Sequence, residues 1–473
     1  MTVQSQTSLA GSYVSVVVLG WGGEVYIRGC LDALSDQTYP EYEVIVVDNA
    51  SPDRIAEIVE RDYPHVRLIR TEKNLGVAGG NNVGLRAARG DILILTNVDT
   101  EARPNWIERL VHAFEVDPTI GIAGSKLLYP DGTIQYAGGE LDPVQATPVH
   151  VGRQAVDDPD DDAGVSDTGF ATGASLAIRR EVLEQIGYED EAYFPIDYED
   201  PDICYRARLA GWRVCYVPQA VSIHYESSTF KTLSPRRFIV HQAGRIRFVC
   251  KFWSDEQLRG PFLKKESESL RSLRLHPAIM SPVYLKTLLE VDDLVEWRER
   301  LGVSDPGTSH QTLTKVLNQL RETCLNRSHS PMPPLPIEMS DAISSVLQQW
   351  LTSDMVQISV DRPLLLEMLS SDLSSIQGQV NSHLPIAWPD WPSGIWPKVR
   401  AALQKLTRRL LCWYINPIID QQNQIDAGVL QALNTMFLLH RERASEEEAL
   451  RAEIESLKQE LKALVESQHA GSS

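Results

Sequence analysis

The sequence predicts an α/β domain followed by a mainly helical C-terminal region that ends in a short coiled coil. Three observations predict it. In the first 230 residues, short β-branched runs alternate with helical patterns, as parallel strands joined by crossover helices do. The strand runs are nearly all apolar, which suits a sheet covered on both faces. Near the other end of the chain, Leu450, Ile454, Leu457, Leu461 and Leu464 recur at heptad spacing.

Taken in order, Val14–Leu19 reads as a strand and Glu24–Ser35 as a helix, Val44–Val47 as a strand and Pro52–Arg61 as a helix. Val66–Arg70, Val77–Arg89, Ile92–Leu95 and Pro104–Phe114 continue the same alternation. Beyond Ile120 the pattern is mixed. There Asp157, Asp158, Asp160, Asp161 and Asp162 read as a solvated, mobile loop, because like charges packed in sequence repel and extend. Helical segments run from Arg236 to Asn326, and a Pro-rich break follows at Ser328–Glu338. A second break, His383–Pro397, holds four prolines and three tryptophans and is too apolar for a plain spacer. The expected divisions are 1–252 for the α/β domain, 253–327 for a helical extension, 328–397 for a Pro-rich linker with a helical segment, and 398–473 for the terminal helices.

Within 398–415, Lys398, Arg400, Lys405, Arg408 and Arg409 occur without an acid, while Val399, Leu403, Leu406, Leu410 and Trp413 share one helical face. Such a helix either lies on an anionic membrane surface or packs its apolar stripe on its own domain. The terminal heptads extend back to Val429, so 429–466 is expected to offer a homo-oligomer contact, with a single solvated helix as the alternative.

Composition narrows the function. Over 473 residues, 64 acidic and 45 basic side chains give a formal charge of −19, which argues against a sequence-independent nucleic-acid binder. Cys30, Cys204, Cys215, Cys250, Cys324 and Cys412 form no CxxC pair, so a disulfide scaffold or structural zinc site is disfavoured. With no basic n-region and no apolar run of about 18 residues, the expected location is cytoplasmic, or peripheral on the inner face of the plasma membrane.

Four constellations carry chemistry. In VIVVDNASPD, Asp48 closes a strand, where a carboxylate can accept from a base or ribose; Asn49 and Ser51 read equally well as turn or cap residues. In NLGVAGGNNVG, Asn74, Gly76, Gly79, Gly80, Asn81, Asn82 and Gly84 crowd the turn into a helix, whose exposed amides suit a phosphate or ribose. This is neither GxGxxG nor a Walker loop, which disfavours a dinucleotide dehydrogenase or P-loop NTPase. Asn97-Val98-Asp99 ends another strand and either forms a turn or lets Asp99 hold a divalent cation shared with diphosphate oxygens. Glu199, Asp200 and Asp202 open a helix, as the dipole favours, and a carboxylate among them that faces a cleft can act as general base. His224 follows as a core histidine or a metal ligand beside Asp99.

In order and combination, SVVVLGWGG, CLDALSDQTYPEYEVIVVDNASPD, NLGVAGGNNVG, LTNVDT, TGASLAIRR and YEDPDICYRARLAGW resemble glycosyltransferase family 2. Within it they are most similar to the bacterial rhamnosyltransferase-like branch that assembles O-antigen, capsule and related cell-surface polysaccharides. The resemblance spans residues 12–252. It implies a GT-A (nucleotide-diphospho-sugar transferase) Rossmann-like fold, a nucleotide-diphospho-sugar donor, a divalent metal (Mn²⁺ or Mg²⁺) and inversion at the anomeric carbon. Asp48 matches the base- and ribose-binding aspartate, and Asn74, Gly76 and Asn81 fall in the donor-binding segment. Gly173 and Ala174 match a loop near the donor sugar, and Asn49, Ser51 and Asn97 complete the expected donor set. Asp99 matches the last acid of the metal motif, with Asn97 in place of its first acid, and His224 matches the late histidine that completes the metal site. Asp200 matches the catalytic base, flanked by Glu199 toward the acceptor. Gly20-Trp21-Gly22 stands where the family often has Asn-aromatic-Asn, so thymidine and uridine both stay open as the nucleoside. The expected activity is transfer of a sugar, rhamnose favoured, to a saccharide or lipid-linked acceptor. The alternative is an inactive nucleotide-sugar-binding or scaffolding protein of the same pathway, against which the presence of both Asp200 and His224 argues.

Overall fold

The computed structural model describes residues 11–158, 163–225, 235–272, 274–325 and 345–346. The basic helix of 398–415, the repeat of 429–466 and nearly all of the 328–397 linker lie outside the described residues. The chain divides into two compact units, Met1–Cys324 and Leu325–Ser473, and the sheet with its covering helices belongs to the first.

The β-branched runs form β1 (Val14–Gly20), β2 (Tyr42–Asp48), β3 (Arg67–Arg70) and β4 (Ile92–Asn97), joined by α1 (Ile27–Ser35), α2 (Ile55–Asp62) and α3 (Gly76–Ala87). They pair in parallel in the order β3-β2-β1-β4, with Gly20 beside Asp48 and Leu19 beside Asn97. β5 (Thr100–Ala102), α4 (Trp106–Val116), β6 (Ile120–Leu128) and β7 (Ile134–Tyr136) follow, then a separate hairpin of β8 (Gly139–Leu141) and β9 (Pro148–His150). The chain continues through β10 (Ser166–Asp167), β11 (Ser175–Arg179), α5 (Arg180–Ile186), α6 (Glu199–Leu209) and the long β12 (Arg213–His224).

The main sheet runs β10-β12-β6-β11-β4-β1-β2-β3, with β5 on β12 and β7 on β6. The sheet is mixed: β11 runs antiparallel between β4 and β6. The reason is its point of entry: the chain comes in where β4 finishes, with Ser175 opposite Thr96. Alternate residues of β1 serve opposite faces, as strand pleating requires. Val16 and Val18 pack with Leu31, Ile58 and Trp106 on one side, and Val17 packs with Leu85, Leu183 and Ile203 on the other. Each such fully buried side chain contributes about 1.5–3 kcal/mol. Trp106 donates its Nε1–H to Ser125 Oγ (2.8 Å) and Ser175 Oγ (2.9 Å), which satisfies the one polar atom of the largest buried ring.

The acidic loop is not solvated throughout. Asp157 accepts from the buried Lys126 Nζ at 2.7 Å, so the loop's first residue is docked; residues 159–162 lie outside the described set.

Helix α7 (Pro235–Phe252) leads to helices at Leu263–Arg271, Pro277–Leu289, Val291–Arg300 and Pro306–Leu325. Buried ions join these helices to the α/β layer. Arg247 meets Asp190 (2.8 Å) and Asp293 (2.6 Å), and Lys251 meets Asp190 (2.8 Å) and Asp202 (2.7 Å). Lys251 Nζ also lies 3.6 Å from the centre of the Trp297 ring. Among the described residues, no helix is long and apolar enough to cross a membrane.

Candidate active site

The functional side chains gather where β1, β2 and β4 end, the place an open α/β sheet offers to ligands. Antiparallel pairing of β5 with β12 sets Thr100 opposite His224, which brings His224 to Asp99. His224 Nε2 lies 3.3 Å from Asp99 Oδ1, with both side chains largely buried. His224 Nδ1 lies 2.7 Å from Gln135 Oε1, and Gln135 Nε2 donates to the His224 carbonyl at 3.3 Å. A carbonyl oxygen only accepts, so this contact assigns a proton to Nδ1 and leaves Nε2 to face Asp99. An imidazole oriented through its far nitrogen is the arrangement metal-binding histidines use. Among the described residues, no group of three or more His, Cys, Asp or Glu side chains is placed to hold a metal. Asp99 and His224 are thus two adjacent donors, a carboxylate oxygen and an imidazole nitrogen, of types that a divalent cation accepts.

The Asp48 turn is a closed circuit. Asp48 Oδ1 accepts from Ser51 N (2.9 Å), Ser51 Oγ donates to Asp53 Oδ1 (2.6 Å) and accepts from Gly22 N (2.8 Å). Asp48 Oδ2 lies 3.5 Å from Nε of the exposed Arg70. Asn49 is buried: its Nδ2 donates to the Gly76 carbonyl (2.9 Å) and to Asn74 Oδ1 (3.3 Å), and its Oδ1 accepts from Leu75 N (2.9 Å).

The start of α3 departs from expectation. Its leading amides are already taken: Leu75 N by Asn49, Gly76 N by Asn74 Oδ1 (2.8 Å) and Val77 N by the Pro195 carbonyl (2.8 Å). The expectation of an open helix N-terminus for phosphate is corrected, because side chains of the adjoining turns cap it. Gly80 and Gly84 face Leu19 and Val17, so they let α3 lie on the sheet rather than a ligand approach it. Asn81 is buried and donates to Glu189 Oε2 at 3.0 Å. Asn97 closes β4, and its carbonyl accepts from Thr100 Oγ1 at 2.7 Å.

Helix α6 opens after two consecutive residues in left-handed backbone, Asp197 (φ 84°) and Tyr198 (φ 77°). Each costs about 1–3 kcal/mol, and their surroundings hold them there. Arg237 grips the Asp197 carboxylate at 2.7 and 2.6 Å, and Tyr198 donates to the Ala146 carbonyl at 2.8 Å. The bend delivers Asp200 to Gly173, whose N–H donates to Oδ2 at 2.7 Å. A Cβ on Gly173 would lie 2.5 Å from Asp200 Oδ1, so a side chain there would push the carboxylate out of this position. Asp200 Oδ1 has no partner among the described residues. Burial pushes Asp200 up to about 6, with the Gly173 N–H opposing and the Asp197 charge adding. Glu199 is buried with Oε2 unpartnered, and burial followed by the Asp200 charge holds it well above the ordinary carboxylate range. Thr96 Oγ1 donates to the Ala174 carbonyl at 3.1 Å and lies 2.6 Å from Thr100 Oγ1, so the Gly173–Ala174 segment rests on the strand end that carries Asp99.

Glu189 and Gln135 escaped the sequence reading. Neither belongs to a recognisable motif, and both act through partners far along the chain.

A mixed sheet with acids and a histidine collected at one end is consistent with the GT-A class of glycosyltransferases. Residues 15–187 match the family model described as Glycosyl transferase family 2. Among curated relatives, an uncharacterized protein of Sinorhizobium fredii is 30% identical over 43% of this chain and 23% of its own length. The O-antigen biosynthesis protein RfbC of Myxococcus xanthus is 30% identical over 46% of this chain and 17% of its own. The N-acetylglucosaminyl-diphospho-decaprenol L-rhamnosyltransferase of Mycobacterium tuberculosis is 27% identical over 45% of this chain and 76% of its own. The chain thus spans less than a quarter of the first two relatives it matches.

Proposed function

We propose that this protein is an inverting glycosyltransferase that moves a sugar, rhamnose favoured, from a nucleotide-diphosphate donor to a saccharide or lipid-linked hydroxyl in cell-surface polysaccharide assembly. The observation that carries the reading is Asp200: a buried carboxylate steadied on one oxygen by Gly173 N–H, with its other oxygen unpartnered. The choice of rhamnose and of a lipid-diphosphate-linked acceptor leans on the mycobacterial relative's described activity.

Asp48, with Asn49 and Ser51 bracing its turn, receives the nucleoside. Asn74, Gly76 and Asn81 shape that wall from behind, and Asn97 and Gly173 border the sugar. Asp99 and His224 would hold a Mn²⁺ or Mg²⁺ ion, which offsets charge growing on the leaving diphosphate. Asp200 Oδ1 takes the acceptor hydroxyl proton, the acceptor oxygen bonds to the anomeric carbon from the opposite face, and the carbon–oxygen bond to the diphosphate breaks with its electron pair. Glu199 lies alongside on the acceptor side.

The test is a panel of thymidine- and uridine-diphospho-sugars, scored by thermal shift and donor hydrolysis with and without Mn²⁺ or Mg²⁺. A metal-dependent shift with one donor is expected, weakened in Asp99→Ala and His224→Ala. No shift with any donor in the presence of metal would sink the reading.

A further inference from the structure

We infer that Glu189 is a positioning residue of the transfer site: clamped by Asn81 and Asn82, it offers Asp200 an uncharged carboxyl as neighbour, so that a single negative charge faces the acceptor. This rests on the reading of Asp200 as base.

Glu189 is only 4% exposed. Its N–H donates to Asn82 Oδ1 (3.0 Å) and its carbonyl accepts from Asn82 Nδ2 (2.9 Å), so α3 fixes the backbone. Its side chain is held at Oε2 by Asn81 Nδ2, while Oε1 is buried without a partner among the described residues. A protonated carboxyl suits that geometry, with the carbonyl oxygen accepting from Asn81 and the other oxygen carrying a proton. An anion would leave a bare charged oxygen out of water, at a cost this site does not offset.

The groups facing it decide the charge. Asp200 and Asp202 act on Glu189 from α6, and the Arg206 charge opposes them. Arg206 is committed elsewhere, to Asp202 at 2.6 Å and to the carbonyls of Ile186 and Tyr188. Around Asp200 stand Asp197, Glu199, Tyr136 and Cys204, none of them a cation. Of the three buried carboxyls, Asp200 has the backbone donor from Gly173, so the charge settles on it. Burial, then the charge of Asp200, holds Glu189 well above its ordinary range.

Difference infrared spectroscopy on the full chain, without substrate, tests this. At pH 7 the protein should show protonated-carboxyl C=O absorption, part of which disappears in Glu189→Gln and persists in Asp200→Asn. In the pH profile of kcat/KM, Glu189→Gln should keep the acid limb in place. Unchanged absorption in Glu189→Gln, or an acid limb moved to lower pH, would overturn the inference by showing Glu189 charged in the native protein. Should Glu189→Gln not fold, Asn81→Ala removes the donor that favours the anion and should move titration of the band upward; an unmoved band overturns the inference too. An active Asp200→Asn would instead refute the base reading, and the infrared result would still decide Glu189.

Discussion

Glu189 and Asp190 are adjacent, and Asp200 and Asp202 lie one helical turn apart or less, yet each pair divides into a carboxylate matched by cations and one that is not. Asp202 is wholly buried and meets Arg206 (2.6 Å), Lys251 (2.7 Å) and the Tyr193 hydroxyl (2.9 Å). Asp190 meets Arg247 and Lys251, whose charges outweigh burial and keep it well below the usual carboxylate range. Among the described residues, Glu189, Glu199 and Asp200 form no ion pair, and burial raises all three. Asp190 and Glu189 are similarly buried, yet the first carboxyl is lowered and the second raised, and α7 supplies Arg247 and Lys251 to the first. The matched acids fasten the helices to the sheet. The unmatched ones are the groups proposed above as base and neighbours of the transfer site.

The sharpest way to break this contrast is to remove the charge from each side. Asp200→Asn keeps an acceptor for Gly173 N–H, so turnover should fall about 10²–10⁴-fold while the urea midpoint barely moves. Near-wild-type turnover in a folded variant would erase the distinction. On the matched side, Asp202→Ala strands Arg206 and Lys251 and should cost about 3–5 kcal/mol in urea unfolding. A loss under about 1 kcal/mol, the scale of an exposed ion pair, would mean that the cations do not depend on it.

Two smaller effects refine the comparison. Gln135→Ala frees the His224 ring and should weaken divalent-metal affinity about 10–100-fold by isothermal titration, without touching either carboxylate set. Unaltered affinity would separate Gln135 from the metal. For pH, Asp200 must be ionised to accept a proton, so kcat/KM should be full above about 6 and fall about tenfold per unit below it. Stability runs the other way. The folded pKa of Asp200 exceeds its ordinary 3.8, so its contribution is complete below that value and is lost as pH rises toward 6. A flat kcat/KM down to pH 5 would contradict the assignment.

Much of the fold was legible. Runs such as Val44–Val47 and Ile92–Leu95 are apolar throughout because both their faces are covered, and they mark β2 and β4 directly. The reversed direction of β11 was not legible, since a short strand with Leu176, Ala177 and Ile178 at its centre carries no sign of which way it pairs. At the site, Asp48, Asp99, Asp200 and His224 stood out through motif and resemblance, but the meeting of Asp99 with His224 depends on β5 pairing with β12 far along the chain. The glycines of α3 misled for a physical reason: close approach to a strand and close approach to a ligand require the same missing side chain. Glu189 and Gln135 are known only through their partners, so no local pattern announces them.

The buried ions of α7 also bear on where this protein can be divided. The family match ends at residue 187, ahead of Asp200 and His224, so a fragment cut there would lack the acids assigned to the transfer step. One ending just past β12 would keep them, yet leave Asp190 and Asp202 facing no Arg247 or Lys251 in a dry interior. The smallest piece worth expressing extends through Cys324, and the helices beyond β12 are part of the catalytic fold's electrical wiring.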